Sequence, residues 1–247
     1  MNINNDFSSS AKYYDIMQDN SRFRKSVKFV IKTLKEKKIT SVLELGCGSG
    51  YYLFPIKNAG YNIEGLDIGK NILNEVKKKD KVVKLYLEDM SKFKIDKKFD
   101  SIICLNSSLV LLPDFTLMKK TLKKVHEHLN DSGLFMLDVP NHEVEIKESN
   151  NTQDSEKFKL KNGVMHVVYR DYKKENKWIA EEKCFVNENG KYFEFEEKFA
   201  ELIFNPNKLE KELKKIGFNI EVMYGGRSGE NFNKNRSRRR FYICKKS

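Results

Sequence analysis

Glu44-Leu45-Gly46-Cys47-Gly48-Ser49-Gly50 is the stretch of this 247-residue chain whose residue types and spacing are best suited to chemistry. Val42, Leu43 and Leu45 read as a strand covered on both faces, ending in a loop with an acid and three glycines at alternate positions. The glycines carry no side chain that would hold a ligand off the backbone. Tyr51 to Ala59 can then open a helix whose first amides face that ligand. The spacing predicts a nucleotide-type site at the carboxyl end of a strand. A phosphate-cradling loop would close on Lys-Ser or Lys-Thr, and here Tyr51-Tyr52 follow. A dinucleotide loop needs Gly-x-Gly-x-x-Gly, and here the third glycine comes one residue early.

Two more acids stand at similar places. Asp67 ends a second expected strand over 61–66. A carboxylate offers acceptors only, which matches the two donors of a ribose diol. That role is common to nicotinamide and adenosylmethionine sites, so Asp67 does not choose between them. Glu88-Asp89-Met90 follow a third expected strand over 82–87. There Asp89 either caps the next turn or meets a base.

The acid-x-Gly-x-Gly-x-Gly loop resembles that of class I S-adenosylmethionine-dependent methyltransferases, and the resemblance runs from about Tyr13 to the C-terminus. It implies S-adenosyl-L-methionine as cofactor, with Glu44, Gly46, Cys47, Gly48 and Gly50 forming its loop. It further implies Asp67 and the adjoining Ile68 at the ribose, Asp89 at the adenine amino group, Met90 over the ring face, and Leu105 after the fourth strand. Within that superfamily the chain is most similar to small-molecule N- and O-methyltransferases of the amino-sugar and glycine/sarcosine types. The carriers are Ala11-Lys12-Tyr13-Tyr14-Asp15-Ile16-Met17, Leu105-Asn106-Ser107-Ser108 and an insertion after residue 140. In those relatives the N-terminal segment folds over the cofactor and a Tyr of the Tyr-Asp pair approaches the sulfonium. Tyr14 is the match, and an electron-rich ring face suits a cation. The other reading of Tyr14 is a ring packed on the first helix. Arg22 either contacts the cofactor carboxylate or is solvated.

These residues need a scaffold, and the pattern supplies one. Helical periods at Ser21–Lys35, 51–58, 70–78 and Phe115–Leu129 alternate with strands at 39–45, 61–66, 82–87, 99–105 and 134–139. Such alternation means an α/β fold with a mostly parallel, Rossmann-like sheet and the ligand at the strands' carboxyl ends. After Pro140 the rhythm changes to polar alternation with turns at Asn162-Gly163, 173–176 and Asn189-Gly190. We expect one domain over 1–247, with antiparallel strands inserted over 142–205 on the substrate side or at an oligomer contact. Three such strands are expected, at 164–172, 178–186 and 192–204. A helix at 208–216 and a reversed hairpin of 218–224 and 238–244 complete the sheet, a hairpin that nicotinamide domains lack.

An amine must be neutral to attack a methyl group, so a base or a dry pocket is needed. His142, after strand five, and His166, on an inserted strand, are the candidate bases; His166 could equally be a core or solvent residue. No acid follows strand four, so a Mg²⁺ site beside Asp138 and Asn141 is not expected, and His126 and His128 read as surface residues. Neither Cys47 nor Cys104 is placed as a nucleophile for pyrimidine C5, and Asn106-Ser107-Ser108-Leu109 lacks the Pro-Pro-aromatic run of base amino-methylation. The four scattered cysteines read as reduced thiols of a cytoplasmic protein, with neither a secretory signal nor a membrane-length apolar run.

The formal charge is +12, and residues 228–247 hold seven basic residues against Glu230. That stripe reads as the solvated face of an edge strand. The other reading is a docking arm for RNA or protein substrates. The favoured partner is a small-molecule acceptor, with nucleic acid a second reading, no membrane, and oligomeric state open. A protein that holds the cofactor without turnover is a third.

Overall fold

The computed structural model describes residues 3, 5–18 and 20–247, with the backbone alone for Asn20, Ser21, Arg22 and Ser149. The chain runs α1 (Tyr14–Met17), α2 (Asn20–Glu36), β1 (Ser41–Leu45), α3 (Leu53–Asn58), β2 (Asn62–Asp67), α4 (Lys70–Lys79), β3 (Leu85–Leu87) and β4 (Phe99–Cys104). It continues through α5 (Phe115–His128), β5 (Leu129–Pro140), α6 (His142–Ser149), β6 (Thr152–Leu160), β7 (Gly163–Lys174), β8 (Lys177–Glu188) and β9 (Lys191–Leu202). The chain closes with α7 (Pro206–Ile216), β10 (Phe218–Tyr224) and β11 (Arg239–Lys246).

Seven strands form a central sheet in the order β10-β11-β5-β4-β1-β2-β3, parallel throughout except for β11, which opposes both neighbours. Side chains alternate along each strand, so a strand buried on both faces feeds two apolar layers. Leu43 and Leu45 pack with Met118 and Leu122 of α5 and Leu209 and Leu213 of α7. Val42 packs on the other face with Val30 and Leu34 of α2, Ile56 of α3 and Val76 of α4. The helices are bounded by local chemistry. Asp114 accepts the amides of Thr116 and Leu117 at 2.7 and 2.9 Å to start α5. Asn205 and Pro206 start α7, and Gly217, at φ 107°, ends it.

The inserted sheet is an antiparallel meander of four strands, β6-β7-β8-β9. The unexpected fourth is β6. Its Thr-Gln-Asp-Ser-Glu-Lys run is exposed, so it carries no apolar alternation to announce it. The half of the sheet bearing Met165, Val167, Cys184 and Val186 buries them against Tyr13.

The basic terminal stripe does not lie on an edge strand. β11 sits between β10 and β5, and the edge falls to β10. Lys246 is buried and donates to the carbonyls of His126 and Leu129, both at 2.9 Å, where α5 ends. The buried Arg240 guanidinium lies 4.6 Å over the Phe232 ring. These two cations close the fold, while Lys234, Arg236, Arg238 and Lys245 of the stripe stay exposed.

The N-terminal residues bridge the two sheets as a strap. Asn5 pairs with Ala200 of β9 through both its amide groups, and the Ser10 amide donates to Glu197 at 2.7 Å. Tyr13 stacks on Phe195 at 5.8 Å and gives its hydroxyl proton to Glu188 at 2.9 Å. On the other side, Asn71 of α4 reaches the Ser8 carbonyl at 3.1 Å.

Candidate active site

The strap, the inserted sheet and the loops that leave β1, β2, β3 and β4 enclose a cavity of about 610 Å³. It lies at the carboxyl ends of the parallel strands, where this kind of sheet collects its ligands. Gly46 and Gly48 take φ of 68° and 52°. A Cβ at Gly46 would stand 2.6 Å from Ser108 Cβ and Oγ, so backbone there touches the turn that follows β4. We expect Gly46→Ala to cost about 2–3 kcal/mol, from left-handed strain plus overlap. A lower urea midpoint at unchanged slope is the readout.

Asp67 ties this loop to the second strand. The Gly48 amide donates to its Oδ2 at 2.8 Å and the Gly69 amide to its Oδ1 at 2.8 Å. The carboxylate keeps acceptor capacity beyond these two amides and lines the cavity. Burial raises its pKa and outweighs the donors from Gly69, Gly48 and Ile68. Glu44 is buried too, and its Oε2 has no partner among the described residues. Burial first, then the charge of Asp67, pushes the Glu44 carboxyl well above its ordinary range.

Asp89 caps the next turn, its Oδ1 accepting the Ser91 amide at 2.8 Å, and it also stands on the cavity wall. Met90 and Leu105 line the wall, as does Cys47, while Ile68 does so with 56% of its surface exposed. Ile72 of α4, fully buried at the same wall, was not singled out by the sequence. Tyr14 lines the cavity, edge-on to Phe7 at 5.4 Å, with its Cε1 3.9 Å from where a Gly48 Cβ would sit. Burial, then Asp67 and Glu182, raise its phenol, which stays protonated at neutral pH.

Four expectations for site residues need correction or fall outside. Gly50 is not on the cavity wall; a Cβ there would lie 2.5 Å from the Phe54 ring, so it serves close packing at the start of α3. His166 is exposed on β7, because its neighbours Met165 and Val167 turn inward and strict alternation sends it out. His142 is buried but outside the cavity lining, with Nε2 3.2 Å from Glu201 Oε2. It braces a wall residue. The Arg22 side chain lies outside the described residues.

The sequence also missed the acidic inner face of the inserted sheet. Glu182 and Glu201 line the cavity, with Asp171 and Glu197 beside them. Burial, then Glu197 and Asp171, push Glu182 up to about 7; burial and Glu201 push Asp171 up to about 6. Donor atoms of His142, Glu145 and Glu201 gather within 4.8 Å of one another. Arg239 already supplies positive charge to Glu145 and Glu201.

Beyond β4, Asn106 and Ser107 both take positive φ, 57° and 67°, a conformation non-glycine residues hold only when the surroundings impose it. The surroundings here are Asp138, which accepts the Asn106 amide, and Arg239, which bonds Ser107 Oγ. Asp138 is wholly buried, 2.9 Å from Arg227 Nε and 3.3 Å from Arg239 Nη1. Two guanidiniums thus share the Asp138 carboxylate.

Comparison with known proteins agrees with this geometry. The chain is 26% identical over 143 residues to a glycine/sarcosine N-methyltransferase of Aphanothece halophytica, covering 56% of this chain and 54% of that protein. It spans about half the length of such curated relatives. An S-adenosylmethionine-dependent methyltransferase from Clostridium acetobutylicum superposes with a TM-score of 0.81 at 22% identity, covering 96% of both chains. DesVI of Streptomyces venezuelae gives 0.82 at 17% identity, covering 97% of this chain and 99% of that one. The fold is that of class I methyltransferases, with its mostly parallel sheet and added antiparallel one. Residues 36–190, more than half of the chain, match the family described as a methyltransferase domain, and the protein belongs to that family.

Proposed function

We propose that this protein transfers a methyl group from S-adenosyl-L-methionine to a small-molecule acceptor, at a nitrogen in preference to an oxygen. The observation that carries the reading is three carboxylates, Glu44, Asp67 and Asp89, set at the ends of β1, β2 and β3 around one cavity. Carboxylates accept, and this donor offers three sets of hydrogens to be accepted: an ammonium, a ribose diol and an adenine amino group. Glu44 brings a buried oxygen that lacks a partner among the described residues, and Asp67 brings acceptor capacity beyond its two loop amides. The residues fit the group. We assign Asp67 to the ribose, Asp89 to N6, and Met90, Cys47 and Leu105 to the apolar faces around the purine and the chain.

Bound there, the donor supplies one methyl group, its C–S bond breaking with the electron pair kept by sulfur as the new bond to the acceptor forms. What the protein adds is placement. Tyr14 and Phe7 of the strap close over Gly48 and keep water from the reacting atoms. The strained Asn106-Ser107 turn presents a fixed wall to the acceptor. Such alignment is worth roughly 7–11 kcal/mol in well-oriented intramolecular reactions. Nitrogen is favoured for two reasons: the relative named above is an N-methyltransferase, and the acceptor side carries acids suited to an ammonium.

The test is transfer of a tritiated methyl group with amino acids, amino sugars, bulk tRNA and a basic protein offered together. We expect label on a small amine. Label confined to RNA or protein would overturn the small-molecule reading.

A further inference from the structure

Neither His142 nor His166 is on the cavity wall, so neither is placed to take a proton from an acceptor there. Glu182 stands in the middle of β8, opposite Tyr169 of β7 and Glu197 of β9. Its carboxylate lines the cavity and lies near enough to Tyr14 for its charge to act on the phenol. It has neither a hydrogen bond nor an ion pair among the described residues. The acids around it are already employed or recessed. Glu197 accepts the strap's Ser10 amide, Glu201 faces His142, and Asp171 is absent from the cavity lining. Glu182 is therefore a carboxylate of the inserted sheet that lines the cavity beside Tyr14 and has no partner among the described residues.

Resting on the donor reading above, we propose that Glu182 is a catalytic residue that binds the acceptor as an ammonium and takes one proton from it before methyl transfer. The step balances. An R-NH₃⁺ and a carboxylate become R-NH₂ and a carboxyl group; the nitrogen lone pair is freed for attack, and the proton later leaves to water. An ammonium is drawn to a carboxylate in a dry cavity, and a hydroxyl acceptor gains nothing comparable. Glu182 titrates near neutrality because burial disfavours its charge, with Glu197 and Asp171 adding like charge. A group poised there can both attract the ammonium and accept its proton.

The experiment uses two ligands of the donor site and needs no acceptor. Sinefungin carries an amine-bearing carbon in place of the methyl-bearing sulfur, and S-adenosylhomocysteine has at that position a sulfur bearing neither amine nor methyl. Calorimetry of the full chain at pH 8 should show sinefungin bound about tenfold more tightly, the size of one charge-assisted hydrogen bond. Glu182→Gln should bring the two affinities within about twofold while leaving that for S-adenosylhomocysteine unchanged. Glu182→Asp, which keeps the charge, should retain part of the preference.

In the wild type the preference should grow from pH 6 to 8 as Glu182 ionises. Asp171, pushed up to about 6, and Glu197, also raised, share part of this range, so the contribution of Glu182 is the part of the rise that Glu182→Gln abolishes; Tyr14 and Tyr169 stay protonated and Cys184 is pushed up to about 12. Lys177 and Arg239 are the cations on the cavity wall. An equal preference in wild type and Glu182→Gln, or none in either, would overturn the proposal. Failure of both ligands to bind the wild type would instead overturn the donor reading on which it rests.

Discussion

Asp67→Ala is expected to weaken binding of S-adenosylhomocysteine by roughly 10²–10⁴-fold in a calorimetric titration, the largest effect on ligand binding anticipated from any single substitution in this chain. A hydrogen bond to a charged group is worth about 1.5–3 kcal/mol, and the proposed ribose contact makes two, so about 3–6 kcal/mol is at stake. The substitution also strips the Gly48 and Gly69 amides of their common acceptor, so the glycine loop loses its tie to β2. Asp67→Asn separates the two losses. It keeps an acceptor for one amide and lacks the negative charge, so it should bind at an intermediate level. Unchanged affinity in Asp67→Ala, with the fold intact by circular dichroism, would remove the ribose assignment.

The second large effect concerns stability. Asp138→Ala should cost about 3–5 kcal/mol, the usual result of deleting one partner from a buried ion pair. Here two guanidiniums, Arg227 and Arg239, would be left without their shared carboxylate, and the Asn106 amide without its acceptor. A double change, Asp138→Ala with Arg227→Met, should recover part of the loss because one uncompensated charge goes with it. The pH dependence has a definite sign. Burial by itself raises the Asp138 pKa, but the charges of Arg227 and Arg239 and the bonds they and Asn106 donate carry it below the ordinary carboxylate value. The stability Asp138 confers is therefore present above pH about 4 and is lost as the pH falls below that. Urea unfolding of wild type and variant should show a constant gap from pH 5 to 8 that narrows in acid. A gap below 1 kcal/mol at pH 7 would mean the pair is not the anchor described.

Much of the donor side was legible because its signal is local. The order acid, glycine, glycine follows a strand of apolar residues, and each member acts within a few residues of the others. Asp67 and Asp89 were readable for the same reason, each closing a short apolar run. The acids proposed to face the acceptor were not legible, since they are brought together across strands. Glu182 sits among Ala180, Glu181 and Lys183, where an alternating polar run reads as a solvated face. Only the register that sets it against Tyr169 and Glu197 turns it toward the cavity. The signal that could have redirected attention from His166 was present: with Met165 and Val167 inward, period-two alternation already sent that histidine outward. The basic terminal run misled for a related reason. Charge count does not distinguish a lysine in water from Lys246, which is buried against two helix-end carbonyls.

The account's central claim is that the cavity between the glycine loop and the N-terminal strap receives an adenosyl donor. The most direct measurement is a crystal structure with S-adenosylhomocysteine at millimolar concentration. The account predicts the ribose hydroxyls within hydrogen-bond distance of Asp67, the adenine beside Asp89 and Met90, and the sulfur pointing toward Tyr14. Ligand density elsewhere, or a cavity holding solvent alone at that concentration, would contradict it.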